Sequence, residues 1–493
     1  MTDDGDAAPA QKADGDGVAV EGLKVRRRRA DAEQNFSRIV ETAVRLLSAD
    51  PRTSVEQIAD ASGLSRATVY RHFPTRQELV GTARQQAADD TGADQRDAVR
   101  PAAELAESDP APLDVADILN KVPPHLLGEQ IVAEAQRIAG VSSVSLYVVD
   151  IDGSRLLRLA GSREFPNELR APLAVGPEIA REGIASLRRL IEAELPNSEA
   201  APLYLRGRAI GLLLAVDAAH GALDEVARQA AAAIDLANLY TDVFAIRRRH
   251  KPTSAAAEIQ QNLLPPRIVR ISGAALAGNV LPGYDVGGDW FDYTENPDGA
   301  WLAVADAAGN GAAAAGLAAV SLGAFRSARR SHDDLEHAVA YMDETVRAAA
   351  SGGATVTAII GRWHGPSSSF SWINCGHPAP LVITYEGRLE ELGPTAGALG
   401  SPGGEPIPQV NRRRVTAGER LILYSDGVTE RQTLDGRSFG LEGIRGAVAR
   451  ASSASAPATV RAIEDAVADA APGPLEDDAT LLVLVPSAVR PHA

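Results

Sequence analysis

Four acidic spots in the C-terminal half of the chain each lie against an apolar run and beside glycine or a second acid. They are Asp289 in "VGGDWFDY", Asp306 in "VADAAGNG", Asp426 in "LILYSDGVTE", and Asp477 with Asp478 in "EDDATLLVLV". Singly, each is an ordinary turn aspartate. Together they constrain the fold, because carboxylates so far apart in sequence converge only where strands of a sheet end side by side. Carboxylates at strand ends suit hard cations, and glycine lets backbone carbonyls and waters approach them. The pattern predicts a sheet-rich domain with its acids gathered at one edge, the kind of set from which a two-metal hydrolytic site is built.

The 493 residues allow about three domains. Punctuation by polar, acidic and Pro-containing stretches sets the expected borders. These are an acidic disordered tail over 1–23, a helix-turn-helix domain over 24–88, a linker over 89–113, an α+β middle domain over 114–250, a linker helix over 251–267 and the strand-rich domain over 268–487. Cys375 is the only cysteine, which excludes disulfide scaffolds and cysteine zinc clusters. A net charge of −16 argues against a protein that coats nucleic acid with its whole surface, while leaving room for one basic module. No apolar run approaches the ~20 residues of a membrane span, and "MTDDGDAAPAQKADGDG" is too acidic for a signal peptide. A cytoplasmic location is therefore expected.

Near the N-terminus, "TSVEQIADASGLSRATVYRHF" reads as helix, turn and helix. Thr53 or Ser54 can cap the first helix, whose inner face is Val55, Ile58 and Ala59. Gly63 fits the turn, Leu64 is expected buried beneath it, and Ser65 caps a second helix packed through Val69 and Phe73. Arg66, Thr68, Tyr70 and Arg71 then face outward, as base edges and phosphates require of a recognition helix. Upstream, "KVRRRR" (24–29) supplies a basic arm. This block resembles the DNA-binding domain of TetR-family repressors, most specifically through "TVYRHFPTRQEL". The resemblance implies that Ser65, Arg66, Thr68, Tyr70, Arg71 and Arg76 form the surface toward double-stranded DNA, with Arg76 on a phosphate. A helical adaptor without DNA binding is the competing reading. The family's usual all-helical dimerising domain does not follow, so a homodimer able to span two half-sites needs another interface.

In the middle block, "VSSVSLYVVD", "SRLLRLAGS" and "IGLLLAVD" read as hairpin-like strands between apolar-periodic helices at about 115–139 and 223–248. The arrangement resembles a GAF-type sensory domain, without a nameable ligand motif; a structural dimerisation spacer is the alternative. The last helix carries Leu223, Val226, Ala230, Ile234, Ala237 and Phe244 close to heptad spacing. That stripe is either a dimerising, signal-transmitting seam or a face packed on the domain's own sheet.

The C-terminal block resembles the metal-dependent PPM-type protein phosphatases, and more narrowly the bacterial stage II sporulation E subfamily. The segments "IQQNLLPP", "VGGDWFDY", "VADAAGNGAAAAG", "INCGHPAPLV", "LILYSDGVTE" and "EDDATLLVLV" occur in the family's order. The resemblance implies a β-sandwich of two antiparallel sheets flanked by helices, with two Mn²⁺ or Mg²⁺ ions at one edge. By position, Asp306 bridges both ions and the Ala307 carbonyl holds one. Asp426 and Asp477 hold the second, and Asp289 supports the first. Hydrolysis of a phosphoserine or phosphothreonine ester by metal-activated water follows from that set, making these four aspartates the catalytic residues. The family often has Asp-Val-Ser-Gly-His-Gly where this chain has Asp306-Ala-Ala-Gly-Asn-Gly. Ala308 removes a hydroxyl and Asn310 an acid, so low or signal-dependent activity is expected. The reading is a signal-responsive DNA-binding protein phosphatase, with a phosphorylated anti-sigma-factor antagonist as the expected substrate. The alternative is a transcription regulator whose phosphatase-like domain is a non-catalytic sensor or scaffold.

Overall fold

A computed structural model describes residues 36, 38–46, 53–73, 75, 79, 80 and 82, and 119–487 except 283, 285, 286, 332, 333, 351, 385, 394, 395 and 403–408. The side chains at 67, 70 and 71 are not described. The expected tail, basic arm and linker lie outside these residues. The chain divides into two compact units, Met1–Ser108 and Asp109–Ala493.

In the first unit, α1 (Val55–Ser62) and α2 (Arg66–His72) form the expected helix-turn-helix. Ser54, not Thr53, is the N-cap: its side chain accepts from Gln57 N while the Gln57 side chain accepts from Ser54 N. Gly63 closes α1 at φ 68°, a left-handed conformation that costs glycine nothing. Val55, Ile58, Ala59, Val69 and Phe73 join one core with Ile39, Val40 and Leu79. Leu64 is only partly buried against it, because it lies in the turn beyond α1 rather than on the inner face of either helix.

The second unit begins with α3 (Leu127–Ala139) and a seven-stranded antiparallel sheet. Its strands are β1 (Val144–Val149), β2 (Arg155–Gly161), β3 (Glu168–Arg170), β4 (Ala174–Val175), β5 (Glu178–Ala180), β6 (Ser198–Leu205) and β7 (Arg208–Val216), with α4 (Gly183–Glu194) between β5 and β6. The long apolar helix expected over 223–248 is two helices, α5 (Asp224–Ala237) and α6 (Val243–Arg247). Leu223, Val226, Ala230, Ile234, Ala237 and Phe244 are all buried in the core of their own domain. The near-heptad stripe is therefore the inward face, not a seam between copies.

Helix α7 (Ala255–Leu263) ends before Pro265 as expected, and a sandwich of two antiparallel sheets follows. One sheet orders its strands β10 (Asp289–Asn296), β11 (Gly299–Ala307), β12 (Val356–His364), β13 (Ser369–Cys375), β16 (Asn411–Arg414). The other runs β15 (Leu389–Glu391), β14 (Leu381–Ile383), β17 (Arg420–Tyr424), β18 (Ala479–Pro486), β9 (Ala274–Leu281), β8 (Ile268–Ile271). Helices α8 (Gly311–Ser331) and α9 (Leu335–Ala349) cover the first sheet. Short α10 (Asp426–Glu430) follows β17, and α11 (Gly440–Arg450) and α12 (Ala456–Asp469) cover the second sheet. By length and composition α8 could cross a membrane, but Leu317, Leu322 and Phe325 bury its inner face in the domain core.

Strand alternation sorts the core. On β11, Ala300, Leu302 and Val304 point between the sheets, while Trp301, Ala303, Ala305 and Ala307 point to the helices. On β18, Leu482 and Leu484 point between the sheets, while Leu481 and Val483 face the other way.

The middle domain and the sandwich share a core: Val175 and Ala180 pack with Ile268, Ala277, Val460 and Ile463. The Glu178 carboxylate pairs with Arg208 Nε at 2.8 Å and accepts from Ile268 N at 2.8 Å, with both charges buried. Beside them the buried Glu464 accepts from Asn279 Nδ2 at 2.7 Å. Burial pushes the Glu464 carboxyl up from 4.5 to about 7. A raised folded-state pKa gives stability that is complete below the unfolded pKa and lost as pH rises through the folded one. Glu464→Gln keeps an acceptor for Asn279 and removes that loss. We expect it to raise the melting temperature by a few degrees at pH 8, on the order of 2 kcal/mol, and to leave it unchanged at pH 4. Equal effects at both pH values would count against this account.

Candidate metal centre and DNA-facing helix

The alternation that fills the sandwich also aims its acids. Asp306 continues the inward series Ala300, Leu302, Val304 at the end of β11. Asp289, in phase with inward Phe291, is its direct cross-strand partner. From the facing sheet, Thr480 and Asp478 continue the inward phase of Leu482, and Ser425 that of Leu421 and Leu423. Thr480 Oγ1 donates to Asp289 Oδ2 at 2.5 Å, and Ser425 Oγ accepts from Thr480 N at 2.9 Å. Asp426 opens α10 directly after Ser425, and Asp477 is on the rim.

The charges bear on one another. Burial and the nearby Asp426 push Asp306 up from 3.8 to about 6, and Asp477 adds to the effect. Burial, Asp477 and Glu430 raise Asp426. Burial, Asp306 and Asp478 raise Asp289 well above the usual carboxylate range. Among the described residues no lysine or arginine offsets these three carboxylates. A crowded, partly buried, oxygen-only set lacking a cationic side chain is what a hard divalent ion needs, so the residues fit a Mn²⁺ or Mg²⁺ pair. Asp289 and Asp306 are cross-strand partners, and Asp306, Asp426 and Asp477 are near enough to bear on one another's charge, although no three of these four carboxylates place ligand atoms within 4.8 Å of one another; Ala307 is buried next to Asp306.

Two residues beneath the acids were given no role from sequence, although Asp478 was noted beside Asp477. Asp478 is 1% exposed, and its Oδ2 accepts from Gly288 N at 2.9 Å, Asp289 N at 3.1 Å and Gln260 Nε2 at 2.7 Å. Its other oxygen is buried without a partner. Gln260, 2% exposed on the linker helix α7, also donates to the Asp289 carbonyl at 3.0 Å. Close backbone approach explains the flanking glycines. A Cβ at Gly427 would sit 2.0 Å from the Asp478 carbonyl oxygen, and one at Gly288 2.8 Å from that of Ala307.

The neighbouring loop is structural. His377 is buried, its Nδ1 lies 2.7 Å from Thr357 Oγ1, and Asn374 bonds its backbone on both sides. Burial lowers its imidazole to about 3, so it stays neutral and is not an acid for the leaving group. Cys375 is buried with its thiol pushed up to about 12 by burial, far from a reactive thiolate. Ala308 and Asn310 are exposed in the turn after Asp306. A separate group of potential ligands, Asp150, Asp152 and His250, brings ligand atoms within 4.8 Å of one another in the middle domain. There Asp150 is already bonded by Ser154 N, Ser154 Oγ and Arg155 N across its hairpin turn.

In the helix-turn-helix, Ser65 caps α2, accepting from Thr68 N at 3.2 Å and lying 2.9 Å from Thr68 Oγ1. Ser65 and Arg66 are exposed and Thr68 is partly exposed. The Tyr70 and Arg71 side chains and the whole of Arg76 lie outside the described residues.

Against known families, residues 296–485 match the model described as Stage II sporulation protein E (SpoIIE), and residues 39–83 match bacterial regulatory proteins, tetR family. The class is thus a SpoIIE-type PP2C phosphatase domain on the same chain as a TetR-like DNA-binding domain. Among solved structures, the chain is similar to the SiaA-PP2C domain of Pseudomonas aeruginosa, at 20% identity over 46% of this chain and 93% of that one, with a TM-score of 0.40. It is also similar to the RsbU and RsbW domains of a Mycobacterium tuberculosis protein, at 26% identity over 45% of this chain and 62% of that one, with a TM-score of 0.39. A third is the phosphatase domain with a regulatory fragment of SpoIIE from Bacillus subtilis, at 13% identity over 82% and 97%, with a TM-score of 0.38.

Proposed function

We propose that the chain is a two-metal phosphoserine/phosphothreonine protein phosphatase joined to a sequence-specific DNA-binding domain, acting as a homodimer in the cytoplasm. The observation that carries the catalytic part is the cross-strand pair Asp289 and Asp306, aimed inward near Asp426 and the rim acid Asp477, with no cationic side chain among the described residues to offset it. Asp289, Asp306, the Ala307 carbonyl, Asp426 and Asp477 would hold the two ions. When bound, the ions supply Lewis acidity toward phosphoryl oxygens and an acidified water. The chain's own residues set the geometry. Thr480 fixes one Asp289 oxygen, and Asp478 ties the Gly288–Asp289 backbone to the facing sheet. Asn310 is not an acid, so the leaving serine oxygen takes its proton from solvent at this exposed rim. Hydrolysis of a phosphoserine peptide that appears with Mn²⁺ or Mg²⁺ and vanishes on chelation tests this; no hydrolysis with either ion favours the scaffold alternative.

The partner reading follows from the matched domains. The resemblance of the C-terminal block to the stage II sporulation E phosphatases supports a phosphorylated regulator as substrate, and we infer an anti-sigma-factor antagonist. The GAF-like middle domain would be the sensor. The helix-turn-helix supports DNA contact through Ser65, Arg66, Thr68, Tyr70, Arg71 and Arg76. Unbiased site selection should return a palindrome bound in a salt-dependent way. Tyr70→Ala is expected to weaken it by roughly tenfold or more; recovery of no sequence preference would overturn this part.

A further inference from the structure

Beside the acidic edge the sandwich opens a cleft of about 660 Å³. That volume is in the range of ligand pockets, roughly 300–1,000 Å³. One wall is α10, through Gly427 and Glu430, and the other is the loop ahead of β18, which carries Glu476 and Asp477. Asp477 lines the cleft directly, and Asp426 immediately precedes Gly427. The cleft is thus continuous with the place where a phosphoryl group would sit, and it receives whatever flanks that group on a substrate.

Arg431 fixes the shape of the cleft. Its Nη1 donates to the Pro474 carbonyl at 2.8 Å, and its Nη2 to those of Ala471 and Gly473 at 2.9 and 3.1 Å. The guanidinium therefore ties the loop to the end of α10 through backbone oxygens and neutralises no acid. Glu430 and Glu476 are both exposed. Among the described residues neither carboxylate has a cation or a hydrogen-bond donor on it; Gln432 Nε2 donates to the Glu430 carbonyl, not to its side chain. Glu430 stands near enough to Asp426 to raise its carboxyl, and Glu476 is next in the chain to Asp477.

Two unpaired acids thus stand at the mouth of a site whose substrate group carries about −1.5 to −2 charge. Cations held by the aspartates would draw in the phosphoryl group, yet its flanks would still meet Glu430 and Glu476. A flank bearing another acid is repelled there. A flank bearing arginine or lysine pairs with carboxylates that have no other partner. Opposite charge steers the right partner in, and like charge rejects the wrong one.

We propose that this cleft is a specificity subsite, selecting phosphoserine or phosphothreonine segments with a basic residue beside the phosphorylated one, and that Glu430 and Glu476 are its specificity residues. The proposal rests on the two-metal reading above.

Steady-state hydrolysis by the full chain with saturating Mn²⁺ tests it. The probes are two phosphoserine peptides of one sequence, flanked on both sides by arginine or by glutamate, and p-nitrophenyl phosphate, which has no flank. Wild type should favour the arginine peptide by about tenfold in kcat/KM, with the difference in KM and shrinking as salt rises. Glu476→Lys should cut the preference to about threefold or less while leaving p-nitrophenyl phosphate within about twofold of wild type. Adding Glu430→Gln should abolish or invert it; because Glu430 also acts on Asp426, that effect is read as the ratio between peptides and not as a rate. Equal kcat/KM for the two peptides, or a preference untouched by the double substitution, would overturn the subsite, while hydrolysis of p-nitrophenyl phosphate leaves the two-metal reading standing. Hydrolysis of none of the probes would overturn that reading and the subsite with it.

Discussion

Asp306→Asn is expected to lower metal-dependent phosphoester hydrolysis by about 10³-fold or more, on the order of 4 kcal/mol of barrier. It should also remove the thermal stabilisation that Mn²⁺ gives wild type. The same substitution should make the metal-free protein more stable at pH 7.5. Asp306 titrates at about 6 rather than 3.8, chiefly through burial and Asp426. Its contribution to stability is therefore complete below the unfolded value and lost as pH rises through 6, so at pH 7.5 the bare carboxylate is a cost. Asparagine removes it, for a gain of roughly 1–2 kcal/mol after allowance for partial solvent access. Lost turnover in a more stable protein separates catalysis from folding. Wild-type rates in the variant, or an unchanged Mn²⁺-induced melting shift, would sink the two-metal reading.

Gln260→Ala should carry the second largest effect, although Gln260 is no candidate ligand. Its amide holds Asp478 and the Asp289 carbonyl at once, from a helix that enters the sandwich from the middle domain. Removing it leaves a buried carboxylate short of a donor and frees the backbone that aims Asp289. Turnover is expected to fall by about 10- to 100-fold, with a matching rise in the Mn²⁺ concentration needed for half-activity. High Mn²⁺ should recover part of the loss, which a merely unfolded variant would not do. Gln260→Glu should be worse, because it sets a third acid against Asp478. An unaltered metal requirement in both variants would exclude the positioning role.

These residues mark how far the sequence could be read. Asp289, Asp306, Asp426 and Asp477 were visible because each interrupts an apolar strand pattern at a turn. Asp478 was not separable from Asp477, since "ATLLVLV" is apolar on both faces and its phase cannot be read without the sheet. Gln260 is polar on a short amphipathic helix, where polarity ordinarily means exposure, and only the approach of two sheets buries it. Over 223–248 two apolar stripes are interleaved. Heptad spacing left open a seam between copies or a face on the domain's own sheet, and burial shows that these residues are core while the neighbouring set faces out. The helix-turn-helix was legible nearly residue by residue because caps, a left-handed glycine and a small core are local devices.

The middle domain does not merely abut the catalytic one. Val175 and Ala180 sit in the same apolar cluster as Ile268 and Ala277, and the buried Glu178 accepts a backbone hydrogen bond from the strand that opens the sandwich. The C-terminal half is therefore not a self-contained cassette. A gene fusion that carried residues 252–493 into another protein would bare that cluster and strand the Ile268 amide. Any replacement input domain would have to bring its own apolar plug and its own acceptor. Exchange of the domain ahead of the sandwich is thereby limited to domains that can rebuild the joint, whose other half lies on the sandwich itself.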